Sequence, residues 1–165
     1  MRSRSLSSLL CAAAAAGVLS VGLPAFAQTP PPYGAPISLE QAKKAMAAAE
    51  AEARKNNWQV VIAIVDSGGH LVMLQRLEAQ NASVDIATGK ARTAVNYRRP
   101  TKALEDTLAP GSSPRALALR DAMPLQGGLP IVVNGQIVGG IGVSGVMASQ
   151  DEMVAKAGAD TLAAK

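Results

Sequence analysis

Histidine occurs once in the 165-residue chain, at position 70, and its imidazole is the side chain best suited to chemistry. It follows Asp66-Ser67-Gly68-Gly69, a turn sequence whose glycines supply positive φ. Gln59–Val65 before the turn and His70–Leu77 after it are rich in Val, Ile and Leu and too short for helices. So tight a turn makes the two an antiparallel hairpin. Strand alternation then sets His70, Val72, Leu74 and Arg76 on one face. An imidazole beside an apolar wall suits a porphyrin, with His70 as the axial ligand to its iron. The alternative is a hairpin-end histidine that only hydrogen-bonds. Arg76 lies about 20 Å further along the strand, too far to hold the propionates of such a haem. It is expected to neutralise Glu78 or Asp85, or to sit at a subunit contact.

Other constellations are weaker. Ser144 lacks a nucleophile-elbow context, so a triad of Ser144, His70 and Asp66 carries little weight, and no catalytic residue is assigned. A closed zinc site needs three or four ligands, which one histidine and no mature cysteine cannot supply. Gly140-Ile141-Gly142-Val143-Ser144-Gly145 matches a dinucleotide fingerprint, but no parallel strand with an acidic residue follows it. These glycines are read instead as allowing close approach of a helix or ligand. Gly89-Lys90 lacks the rest of a phosphate-binding loop. Lys90 is expected to be solvated in mid-helix, within reach of Asp85 or Asp66.

The elements that position these residues follow from caps and periodicity. Ser38-Leu39-Glu40-Gln41 is a capping box opening a helix over 39–55, with Ala42, Ala45, Met46, Ala49 and Ala53 on one face. Ser83 caps a second helix over 84–97, which Pro100 ends, and Thr101 caps a short one to Leu108. Asn134-Gly135 joins strands 129–133 and 136–143. Ser149-Gln150-Asp151-Glu152 opens a final helix to Ala163, and a short strand is expected near Met123–Gln126. The order predicts an α+β sandwich, a mainly antiparallel sheet of four to five strands flanked by helices.

The N-terminus reads as a cleaved export signal over 1–27. Arg2 and Arg4 precede an apolar stretch, Leu9–Leu23, and Ala25-Phe26-Ala27 offers a peptidase site. The mature protein is expected in the periplasm or secreted, with no stable membrane anchor. Residues 28–37 form a proline-rich leader, extended and poorly ordered, and 38–165 form one domain. Cleavage removes the lone Cys11 and two arginines, so the net charge falls from +4 to +2. With so little positive charge and only Tyr33, Trp58 and Tyr97 as mature aromatics, nucleic-acid binding is excluded.

Several blocks occur in a familiar order: Val65-Asp66-Ser67-Gly68-Gly69-His70-Leu71, Lys90-Ala91-Arg92-Thr93-Ala94, Pro100-Thr101, Gly127-Gly128-Leu129-Pro130-Ile131 and Gly139–Gly145. Together with Asp151 and Ala157-Gly158 they resemble the GlcG/HbpS family over about 38–163. The resemblance implies a profilin-like fold, homo-oligomers (tetramers or octamers) and, in some members, binding or degradation of haem. It implies His70 as an iron ligand, and a second candidate pocket with Thr93 or Thr101 as iron contact, Tyr97 beside them and Lys90 as a further binding residue. The Asp-Gly turn common after strand two is replaced here by Glu78-Ala79. The expected function is an exported, oligomeric haem-binding protein. The alternatives are an accessory protein or enzyme of glycolate- or diol-type metabolism, with a polar site around Asp66, Lys90 and Ser144, or a ligand-free scaffold.

Overall fold

The structure is a computed structural model that describes residues 29–163. The export signal expected over 1–27 lies outside them. Helix α1 spans Leu39–Lys55 and strands β1 and β2 span Val61–Asp66 and Leu71–Arg76. Helix α2 (Ser83–Asn96) and a single-turn α3 (Lys102–Glu105) follow. Strands β3 (Gly128–Val133) and β4 (Gln136–Ser144) lead to α4 (Ala148–Asp160). No described helix is long and apolar enough to cross a membrane.

The four strands form one antiparallel sheet in the order β2-β1-β4-β3. Alternation divides the central strands between two layers. Ile62, Ile64, Ile141 and Val143 pack under α1 and α4, where Ala42, Ala45, Ala49 and Ala155 let both helices lie close. Val61, Ala63 and Val65 face α2 and meet Ala87, Ala91 and Val95. The glycine-rich run of β4 belongs to this second contact. A Cβ on Gly142 would stand 2.1 Å from the Ala87 carbonyl oxygen, so the fingerprint-like spacing serves helix–sheet packing. Asn134 and Gly135, at φ 50° and 75°, make the hairpin turn that their types demand.

Several expectations need correction. Ser83 does not cap α2. It lies inside the helix with its hydroxyl buried 3.3 Å from Ser144 Oγ. Thr101 forms no side-chain cap either. Helix α4 starts at Ala148, and Gln150 Oε1 accepts from the Met147 amide, so Ser149 is inside the first turn. Met123–Gln126 form no strand. The leader is extended but pinned: Pro32 accepts from the Ile137 amide at 2.8 Å, and the Gly34 amide donates to Ile137 at 2.9 Å. Tyr33 adds a hydroxyl bond to the Val95 carbonyl at 2.9 Å.

Candidate functional site

The turn between β1 and β2 is organised by one carboxylate. Asp66 Oδ1 accepts from the amides of Gly68 at 2.8 Å and His70 at 2.9 Å. His70 Nδ1 lies 3.4 Å from the same oxygen. Partial burial raises the Asp66 pKa, but these amides and the imidazole outweigh it and hold the carboxyl below its usual value. The carboxylate therefore turns Nδ1 inward, and Nε2 is the nitrogen left for a ligand. The His70 side chain is 84% exposed. A Cβ on Gly68 would stand 2.9 Å from Nδ1, so a larger residue there would push the exposed ring aside.

The surroundings of His70 differ from simple alternation. His70 precedes β2, and the register slips between Ile64–Met73 and Val65–Leu71, which leaves Val72 as an extra residue. Val72 packs into the core, while Leu71 and Leu74, paired with Val65 and Ala63, share the α2 side of the sheet. Helix α2 packs over β1, β4 and β3. Edge strand β2 stays uncovered on that side, with Leu71 48% and Leu74 37% exposed. Arg92 of α2 reaches the turn, where its Nε donates to the Gly69 carbonyl at 3.1 Å. His70 thus opens the edge strand, two half-exposed leucines lie along its α2 side, and a guanidinium reaches the turn. They match what a haem needs: an iron ligand, apolar contact for the macrocycle and a cation for a propionate. Arg76 is engaged elsewhere, with Nε bonded to the Ala79 carbonyl at 2.7 Å.

The other sequence-predicted residues lie away from this edge. Thr93 is buried and its Oγ1 accepts from the Met123 amide at 2.8 Å. Thr101 is buried beside β3, at the opposite edge of the sheet, and its Oγ1 accepts from the Gly128 amide at 2.9 Å. Tyr97 closes α2 and its hydroxyl donates to the Arg120 carbonyl at 2.7 Å. Ser144 ends β4 opposite Val61, at the far end of β1 from Asp66.

Lys90 is not solvated, and neither Asp85 nor Asp66 is its partner. Its ammonium is buried beside Gly127, just ahead of β3, 2.8 Å from Asp151 Oδ2 and 2.8 Å from the Val143 carbonyl. Burial pushes the Asp151 carboxyl above its usual pKa; Lys90 and the Val146 and Gly145 amides oppose the rise. This pair joins the two helical layers. Sequence reasoning missed the role of Asp151 because it read 149–152 only as a helix start, and missed Arg92 because only the fold brings it to the turn. Among the described residues no cluster of three or more His, Cys, Asp or Glu could hold a metal ion.

Known proteins share this sequence and shape. A family model described as haem degrading protein HbpS-like matches residues 37–160. GlcG of Escherichia coli K12 is 44% identical over 109 residues, which are 66% of this chain and 81% of GlcG. A double mutant of HbpS from Streptomyces reticuli superposes with TM-score 0.72 at 36% identity, covering 91% of this chain and 99% of that one. A PduOC–haem complex superposes with TM-score 0.70 at 27% identity, covering 76% and 94%.

Proposed function

This chain belongs to the HbpS-like family, and we propose that it is an exported haem-binding protein that works as a homo-oligomer. The observation that carries the reading is the exposed His70 imidazole, with Nδ1 held toward Asp66 at the start of the uncovered edge strand β2. Similarity to HbpS and to a PduOC that was solved with haem supports the choice of ligand. His70 Nε2 is the proposed iron ligand. Leu71 and Leu74 support the macrocycle, and Arg92 meets a propionate. His70 is preferred to Thr93 and Thr101 because both threonines are buried and their hydroxyls already accept from backbone amides. When bound, the group supplies a redox-active iron; the protein's part is to hold and orient it.

A single copy offers this ligand only one open edge. A second copy against the same edge would cover the opposite face and exclude water, which supports the homo-oligomer. The test is a hemin titration of the mature protein followed at the Soret band, with mass measured by light scattering. The expected result is a saturable, shifted band at a defined ratio of hemin to chains, on an oligomer. A spectrum that only reproduces free hemin would overturn the proposal.

A further inference from the structure

The opposite end of the β1–β2 hairpin carries a second concave surface. The segment from α1 into β1 faces the end of β2 across a cleft of about 470 Å³, lined by Arg54, Asn57, Trp58, Arg76, Leu77 and Glu78 among others. Its two walls are tied together, since the Leu77 amide donates to the Val60 carbonyl at 2.8 Å. The charges lining it are not spent on each other. Arg54 is paired with Glu50 at 2.6 Å, outside the cleft lining. Among the described residues Arg76 and Glu78 form no ion pair. Among the described residues Arg76 is engaged through Nε with the Ala79 carbonyl, and its two terminal nitrogens remain as donors on a fixed plane.

Two further observations concentrate on the same lips. Asn57 and Glu78 both adopt φ of 55°, a left-handed conformation that glutamate seldom takes. Such strain is one mark of ligand sites, and here Glu78 lines the same cleft as Arg76. Trp58 and Leu77 give the walls an apolar part, and both are half-buried.

We propose that this cleft binds a small monocarboxylic acid with a flat apolar body and a hydroxyl next to its carboxylate. The carboxylate takes the two terminal nitrogens of Arg76 in parallel hydrogen bonds. The flat body lies on Trp58 and Leu77. The hydroxyl donates to the Glu78 carboxylate, whose charge repels a second acid group on the ligand. Because Arg76 and His70 stand at opposite ends of β2, this site is independent of the haem reading.

Trp58 is the only tryptophan, so its fluorescence reports the cleft directly. The experiment titrates the full protein with 3-phenyllactate. The expected result is a saturable change in indole emission, at least tenfold weaker for 3-phenylpropionate, which lacks the hydroxyl, and absent for the methyl ester. Arg76→Gln and Arg76→Lys are expected to weaken binding at least tenfold, and Glu78→Gln to erase the preference for the hydroxylated acid. A linear, unsaturable quench, or a methyl ester that binds as tightly as the acid, overturns the proposal without any variant. Equal affinity in folded Arg76→Gln overturns it as well.

Discussion

Replacing Lys90 by Met tests the account of the core most severely. Both side chains of the Lys90–Asp151 pair are only 3% exposed. The substitution leaves Asp151 buried without its cation and takes a donor from the Val143 carbonyl. Removing one partner of a buried pair costs about 3–5 kcal/mol, a large share of the roughly 5–15 kcal/mol that stabilises a domain. At about 4 °C per kcal/mol for a chain of this size, the fall in Tm at neutral pH is on the order of 10–20 °C. Burial already holds the folded Asp151 pKa above its unfolded value, and losing Lys90 raises it further. The folded state then binds a proton that the unfolded state has released. The stability linked to that proton is full below the unfolded value, near 4, and is lost as pH rises through the folded value. Urea unfolding from pH 4 to 8 should therefore show a deficit that is largest at the alkaline end and shrinks toward acid. Lys90→Met with Asp151→Leu should recover most of the loss, because no charge remains buried. A single variant that loses under about 1 kcal/mol at pH 7, or a double variant that loses the sum of its parts, would refute the reasoning.

Two other substitutions probe how the layers approach. Gly142→Ala places a methyl against the backbone of Ala87 and Ala91, at 2.1 and 2.5 Å. It should cost at least about 3 kcal/mol or abolish soluble expression. A thermal melt within about 2 °C of the parent would show that α2 sits further from β4. Thr101→Val keeps the shape but leaves the buried Gly128 amide without its acceptor. The expected loss is about 1–3 kcal/mol in chemical denaturation, and an unchanged midpoint would remove Thr101 from its structural role.

Local signals were the legible part of the fold. Helix α1 occupies the residues that its serine cap, alanine face and closing asparagines predict, because capping and periodicity act within one element. Asn134-Gly135 fixed the second hairpin for the same reason. The errors arose where a tertiary partner outbid a local one. Ser83, Thr101 and Asp151 all belong to good capping types, yet they meet Ser144, Gly128 and Lys90 from distant parts of the chain. Alternation failed at Val72 because a register slip leaves no mark in a run of apolar residues. At the site, His70 was singled out by its type, while its contact with Asp66, four residues away across the glycine turn, is local enough to be read yet was given little weight. Arg92 comes from another helix, and the bare side of β2 depends on where α2 lands, so neither could be read from spacing.

The central claim is that His70 Nε2 binds the iron. It is tested most directly by titrating hemin into the protein and into His70→Ala side by side, with added imidazole as a rescue. The account predicts that the variant keeps its fold and oligomeric state, loses the shifted Soret band, and regains it when free imidazole is supplied. A variant whose band and affinity match those of the parent would contradict the claim and place the iron elsewhere.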